Sequence, residues 1–247
     1  PVSIVAAAEK VLNSSIGAPA QDFFGFQVLV TAGGTKEPIC PVRYIGNRSS
    51  GKQGHAIALE AAARGAEVTC ITTQPDNIYH HPLIKVVAVE TANEMADAVF
   101  SESPKSDFVV MAAAVADFTP AEKHKEKIKK SKEGLEIQLV PTVDILASLG
   151  AARNDEQILV GFAAETNDLE KNATNKLESK GVDLIVANDV SAANVGFDYD
   201  TNAAILFDYM GKKTELPLAD KREIAQAVLD VALKLKADKH EESGGNQ

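Results

Sequence analysis

Two glycine-rich pieces bracket one connection in this chain. Thr31-Ala-Gly-Gly-Thr-Lys-Glu-Pro follows a short apolar run, and Asn47-Arg-Ser-Ser-Gly-Lys-Gln-Gly enters a helical pattern. Gly33, Gly34 and Gly51 would let backbone approach an anion, while Ser50 and the N–H groups of a helix start direct partial positive charge at the same point. The chemistry implied is phosphate binding; the alternative is that glycines in a first strand-to-helix turn only permit tight packing. Neither GxGxxG nor GxxxxGK[ST] is matched, which counts against an ordinary dinucleotide site and a P-loop. Asp117 follows the apolar stretch Ala112-Ala-Ala-Val-Ala, where it can accept hydrogen bonds from ribose hydroxyls or hold a hydrated cation, or simply cap a helix. Lys123, Lys125, Lys127, Lys129 and Lys130 form a basic run with one apolar residue, Ile128. It is either a solvated face or a movable loop that closes over phosphates. Gly161-Phe-Ala-Ala-Glu-Thr ends another apolar run, so Phe162 can line a nucleobase pocket or belong to the core. Lys176 and Lys180, four residues apart on the helix that follows, share a face and can meet phosphates or water.

These residues need elements to hold them at one edge. The segment 27–32 reads as a first buried strand ending at Gly33-Gly34, and 50–65 as a helix with Gly65 as its stop. Apolar runs at 66–73, 83–89, 107–114, 157–164 and 183–189 alternate with helical patterns, including one near 92–103. Continuous Val/Ile runs alternating with helices predict a doubly wound, Rossmann-like α/β fold with a mostly parallel sheet. Residues 202–217 read as a hairpin turning at Met210-Gly211, which offers an edge for dimerisation. Residues 218–235 read as an amphipathic helix with Ile224, Val228, Val231 and Leu235 on one face. The expected organisation is an N-terminal helix and linker over 1–26, the nucleotide-binding domain over 27–236, and a disordered polar tail over 237–247.

Composition narrows the function further. The chain has 247 residues, with 35 acidic against 25 basic side chains and a formal net charge of −10. That field repels nucleic acid. Its apolar runs are too short to span a bilayer and no signal-peptide pattern opens it, so a soluble cytoplasmic protein is expected. Cys40 and Cys70 have neither disulfide-framework nor zinc spacing, and the five histidines form no HExxH or Cys/His cluster. The metal ligands stay unknown; any metal is expected to arrive with a ligand.

Taken together, Val28-Leu-Val-Thr-Ala-Gly-Gly-Thr-Lys-Glu-Pro, Pro41-Val-Arg-Tyr-Ile-Gly-Asn-Arg-Ser-Ser-Gly-Lys, Ala113-Ala-Val-Ala-Asp-Phe, Glu126-Lys-Ile-Lys-Lys, Gly161-Phe-Ala-Ala-Glu-Thr and Ala187-Asn-Asp-Val resemble bacterial phosphopantothenoylcysteine synthetase. The resemblance implies a two-step ligase of coenzyme A biosynthesis that uses CTP with Mg2+. In it the phosphopantothenate carboxylate displaces pyrophosphate, and cysteine then displaces CMP from the acyl-cytidylate. It places Asp117, Lys127, Val143, Asp144, Ile145, Leu146, Phe162, Lys176 and Lys180 at nucleotide-contacting positions, and Asn47 where the acyl-cytidylate is handled, so that Asn47 and Lys127 are the catalytic pair. It also implies a homodimer, often fused to a flavin-dependent decarboxylase that forms larger oligomers; residues 2–12 resemble the tail of that half. Val143, where relatives commonly carry proline, and Gly46, where serine is common, depart from the pattern. Two other functions compete: an NAD(P)-dependent reductase, which would share the fold, and a catalytically silent scaffold for a decarboxylase.

Overall fold

A computed structural model describes residues 20–130, 134–165, 168–189 and 201–244. Its centre is an eight-stranded sheet in the order β12-β11-β10-β9-β6-β1-β4-β5. The strands β1 (Gln27–Ala32), β4 (Glu67–Thr72), β5 (Ile84–Ala88), β6 (Phe108–Met111), β9 (Ile158–Glu165) and β10 (Leu184–Asp189) run parallel. The antiparallel hairpin β11 (Thr201–Asp208) and β12 (Lys213–Asp220) closes one edge, turning where Gly211 adopts φ 83°. The parallel order reverses direction between β1 and β6, the switch point of a doubly wound sheet where ligands bind beyond the strand C-termini. The Rossmann-like reading is borne out.

Strand alternation decides which helix covers which face. Val28 and Val30 of β1 pack with Ile57 and Ala61 of α1 (Lys52–Ala63) and with Ile224, Val228 and Leu235 of α5 (Lys221–Gly244). Leu29, between them, faces the other way. It joins Met95 and Val99 of α2 (Ala92–Glu102), Ile145 and Leu149 of α3 (Ile145–Ala152), and Ala173 of α4 (Leu169–Lys180). All these residues except Leu149, Ile145, Val28, Ile224 and Leu235 are fully buried, and those five expose 3% or less. Each large one contributes about 1.5–3 kcal/mol by leaving water. No described helix is long and apolar enough to cross a membrane.

Four features go beyond or against the sequence reading. The connection at 35–46 is not a plain loop: β2 (Lys36–Cys40) and β3 (Arg43–Gly46) pair as a hairpin, tied to the body where buried Glu37 accepts the Ala92 N–H at 2.8 Å. A second small sheet pairs β7 (Phe118–Pro120) antiparallel with β8 (Leu139–Pro141), and β7 packs beside β2. The folded body also begins before residue 27. Phe23 is fully buried with its ring 5.0 Å from that of Phe108, and the Arg64 guanidinium sits 4.7 Å over it while pairing with Asp22 and Asp230. The remainder of the expected N-terminal helix, residues 1–19, lies outside the described residues. At the other end α5 runs on to Gly244 where a disordered tail from 237 was expected. Polar docking carries it past its apolar stripe: Lys236 reaches the Glu156 carbonyl, and Lys239 pairs with buried Asp183 at 2.8 Å.

Candidate functional site

A cavity of about 740 Å³ opens at the switch point, beyond the C-terminal ends of β6, β9 and β10. Its wall on one side is the start of α1. Gly51 stands at the N-cap with φ 76° and no side-chain cap, and the first turn holds no acidic residue. The N-terminal end of α1, with no acidic side chain in its first turn, thus borders the cavity, an arrangement suited to an anion. Ser49, Ser50 and Lys52 line the same wall. Gly54 lets the helix start press onto β1: a Cβ there would meet the Thr31 carbonyl oxygen at 2.7 Å.

His55 supports this turn from beneath. It is 4% exposed, shares a 2.9 Å hydrogen bond with Thr72 Oγ1, and lies under Gly51. Burial holds its imidazole below the ordinary value of 6.5, so the folded protein keeps it neutral. As pH falls below 6.5 the unfolded chain takes up this proton first and stability is lost, until the folded pKa is passed. Urea unfolding from pH 8 to 5 should show this loss, approaching about 1.4 kcal/mol per pH unit for one proton. His55→Gln should flatten that slope, and an unchanged slope would exclude His55 as its source.

The second wall is the segment leaving β6. Thr31 Oγ1 accepts the Ala113 N–H at 3.1 Å and Thr35 Oγ1 the Ala116 N–H at 2.9 Å, while Thr142 Oγ1 donates to the Ala116 carbonyl at 2.6 Å. Asn47 Nδ2 donates to the Val115 carbonyl at 3.1 Å, which brings the two glycine-linked motifs onto one backbone strap. Asp117 ends the strap, exposed at the rim. The third wall is the turn into α3 and the end of α4. Asp144 caps α3 by accepting the Ala147 N–H at 2.9 Å, and pairs with Lys180. Burial alone would raise the Asp144 carboxyl pKa, but hydrogen bonds from Lys180 and Ala147 together with the lysine's charge outweigh it and hold it below the usual value. Phe162, half-buried on β9, borders the space with Val143, Ile145, Leu146 and Lys176.

Of the residues singled out in the sequence, Asn47, Ser50, Gly51, Asp117, Val143, Asp144, Ile145, Leu146, Phe162, Lys176 and Lys180 line this one cavity. Gly33 and Gly34 do not. A Cβ on Gly34 would lie 2.4 Å from the Asn47 carbonyl oxygen and one on Gly33 would lie 2.2 Å from Thr73 Oγ1, so these glycines let backbone pack behind the cavity wall. Lys127 is also outside the lining. It is exposed on a segment whose half-buried Ile128 is held at the hairpin, where Arg43 donates to the Ile128 carbonyl at 3.0 Å; His124 N–H also donates to Ile39 there at 2.9 Å. Cys40 sits at the same junction with its thiol lowered to about 7, chiefly by hydrogen bonds from the Ile128 and Val42 backbone and, against burial, by Arg43.

The sequence reading gave no role to Arg48, Lys52, Gln53, Asn188 and Lys221, which also line the cavity. Lys52 lay in plain view in the glycine motif, whereas Lys221 enters only because the hairpin brings the start of α5 round to this edge. Arg48, Lys52, Lys176, Lys180 and Lys221 surround the space against the carboxylates of Asp117 and Asp144, so the cavity is cationic within a chain of net charge −10. Gln53 Oε1 and Asn188 Oδ1 are enclosed acceptors without a hydrogen-bond partner. No group of three or more His, Cys, Asp or Glu able to hold a metal occurs among the described residues. Asp117 alone has a carboxylate here not engaged by Lys180, which fits a magnesium ion carried on phosphate oxygens better than a protein-built cage.

Known proteins resemble this chain in sequence and in fold. The model of the DNA/pantothenate metabolism flavoprotein C-terminal domain family matches residues 23–235. The Coenzyme A biosynthesis bifunctional protein CoaBC of Bacillus subtilis is 44% identical over 229 residues, which are 93% of this chain and 55% of that protein. Its counterpart in Escherichia coli K12 is 44% identical over 215 residues, covering 86% of this chain and 52% of that protein. The chain thus spans about half the length of the curated relatives it matches. A crystal structure of the C-terminal domain of a CoaBC protein superposes with a TM-score of 0.75 at 36% identity, covering 89% of this chain and all of that one. From its sequence and from the sheet that carries its cavity, the chain belongs to the DNA/pantothenate metabolism flavoprotein C-terminal domain family.

Proposed function

We propose that this chain is a phosphopantothenate–cysteine ligase that activates the carboxylate with CTP. The observation that carries the reading is the cationic cavity at the sheet's switch point, with the uncapped start of α1 on one wall and Phe162 on another. Phosphoryl chemistry depends on positioning and on neutralising charge more than on covalent help from the protein. The α1 N–H groups with Ser50 and Lys52 hold one phosphate-bearing end. Lys176 and Lys180 hold phosphates from the opposite wall, and Phe162 with the 143–146 turn borders the base. Magnesium, carried on the triphosphate with Asp117 beside it, would neutralise oxygens that lysines do not reach.

In the first step a carboxylate oxygen of phosphopantothenate bonds to the α-phosphorus and the bond to pyrophosphate breaks. In the second, cysteine's amine bonds to the acyl carbon, the carbon–oxygen bond to CMP breaks, and the amine loses a proton. The strap at 113–117 and Asn47 keep polar backbone and a neutral amide beside the reacting carbonyl. Enclosed acceptors on Gln53 and Asn188 suit a substrate rich in amide N–H and hydroxyl groups. Pyrophosphate release, measured with phosphopantothenate and each of CTP, ATP, GTP and UTP, tests the reading: release with CTP is expected, and silence with all four would sink it.

The segment 123–130 must move for Lys127 to reach the α-phosphate. CTP with magnesium should therefore protect it from trypsin at least severalfold, because phosphates offset the repulsion among its lysines. Mass spectrometry of timed digests reads the cleavage sites, and equal cleavage with and without nucleotide would contradict the closure. The same reading implies a flavin-dependent decarboxylase half joined to this domain, as the bifunctional names of its relatives suggest, and a homodimer paired through the exposed edge of β12.

A further inference from the structure

We propose that His55 is a positioning residue that couples an anion held at the N-terminal end of α1 to uptake of a proton, so that the anion binds more tightly as the pH falls. This rests on the ligase reading for the identity of the anion. The ring lies directly behind the cavity wall. A Cβ built on Gly51 would stand 3.2 Å from the imidazole Cε1, and Gly51 itself lines the cavity. The His55 N–H also donates to the Gly51 carbonyl at 3.0 Å, so main chain and ring both support this N-cap, which has no side-chain cap of its own. From the other side the Gly33 nitrogen comes within 3.2 Å of the same Cβ position. A titratable ring, 4% exposed, is thus separated from the anion site by one glycine.

Thr72 suits that ring in either charge state. Its Oγ1 accepts the Gln74 N–H at 3.0 Å and shares the 2.9 Å bond with His55 Nε2. The hydroxyl proton serves a neutral Nε2, and the oxygen's remaining lone pair serves an Nε2–H. Burial keeps the imidazole neutral without a ligand, and the positive end of α1 acts in the same direction. A bound dianion offsets the helix end and attracts an imidazolium, which raises the pKa of His55. By linkage, affinity then climbs as pH falls through the ligand-bound pKa and levels off below the ligand-free one. The charges on neighbouring elements do not supply this behaviour. β1 carries no titratable side chain, and β4 carries exposed Glu67 and Cys70, whose thiol burial pushes up to about 12. Asp76 is exposed in the turn after β4, and Lys85 of β5 pairs with Glu102. α5 brings Lys221, Arg222, Glu223 and Asp230, of which Arg222 pairs with Glu60 and Asp230 with Arg64 at the end of α1. Lys52 on α1 lines the cavity. Carboxylates, lysines and arginines of ordinary pKa keep one charge between about pH 5.5 and 8, where histidine titrates.

The test is calorimetry with sulfate, a tetrahedral dianion that does not itself titrate in this range, at fixed ionic strength and in buffers of different ionisation enthalpy. NMR of the His55 Cε1–H follows the ring in the same samples. Sulfate should move the His55 midpoint upward, bind with proton uptake, and bind about three- to tenfold more tightly at the acid end of the range. His55→Gln keeps a hydrogen-bonding partner for Thr72 and should abolish the uptake, leaving affinity flat with pH. A merely structural role would instead lower affinity by the same factor at every pH. Cys40→Ser should leave the uptake intact, although that thiol, lowered to about 7, titrates in the same window at the β2–β3 hairpin. A His55 titration that ignores sulfate, or uptake that persists in His55→Gln, would overturn the proposal, and the NMR arm needs no variant to decide it. CTP–magnesium and phosphopantothenate are then tried as competitors of sulfate. If neither displaces it, the ligase reading falls and the coupling at His55 stands.

Discussion

Lys127→Gln is expected to abolish pyrophosphate release while leaving the protein folded and able to bind phosphopantothenate. The residue is exposed and outside the cavity lining, so removing its charge costs the fold nothing visible. Its anchor is backbone and neighbouring side chain, through Ile128, Arg43 and Cys40, and none of these depends on the Lys127 ammonium. On the proposed reading, what the substitution removes is a positive charge that would arrive with the closing segment as negative charge builds around the α-phosphorus. Loss of one donor aimed at developing charge in a closed site lowers turnover by about 10²–10³. Pyrophosphate release in a single turnover is the measurement, with intrinsic melting as the control on folding. Activity within a few-fold of wild type would mean that the cations already lining the cavity suffice and that the segment 123–130 is only a solvated face.

Asn47→Asp should divide the reaction in two. Asn47 Nδ2 donates to the Val115 carbonyl, and the residue lies where the strap from β6 meets the start of α1. An aspartate there can no longer donate, and its carboxylate turns one acceptor against another. It also brings a negative charge to a space built for anions, which disfavours an anionic acyl-cytidylate in the geometry that cysteine must attack. At saturating nucleotide the first step should survive, because the lysines of α4 and the α1 N–H groups remain. The second step should slow by two orders of magnitude or more, as expected for about 3 kcal/mol of misplaced charge in a closed site. A quenched single-turnover experiment analysed by mass spectrometry follows pyrophosphate, mixed anhydride and CMP with and without cysteine. Accumulated anhydride is the expected result. If Asn47→Asp blocks pyrophosphate release as completely as Lys127→Gln, both residues belong to nucleotide binding and the division of labour is wrong.

The local patterns carried much of this. Val28 and Val30 against Leu29, the Gly33-Gly34 pair after β1, and the helical spacing through Ile224, Val228 and Leu235 are written in side chains within a few residues of one another. They follow from the two periods of regular backbone. Because parallel strands put their C-terminal ends on one side, residues near the ends of the apolar runs had to gather there, and Asp117 and Phe162 do. The end of α5 was harder to read, since Lys236 and Lys239 look like tail residues until Glu156 and Asp183 are seen opposite them.

The remaining features depended on docking that no local pattern encodes. Gly33 and Gly34 have the composition of a phosphate loop, yet the approach of Asn47 and Thr73 turns them into packing positions behind the wall. The Asp144–Lys180 pair exists because Gly150 lets α3 lie against the end of α4, and the β2–β3 hairpin holds Ile128, and with it Lys127, away from the cavity. The sequence by itself determined the doubly wound sheet and the edge at which chemistry gathers, because those follow from short-range periodicity. Only the tertiary structure decided which charges meet across that edge and which wait outside it, because a contact between distant residues is set by how closely whole elements can pack.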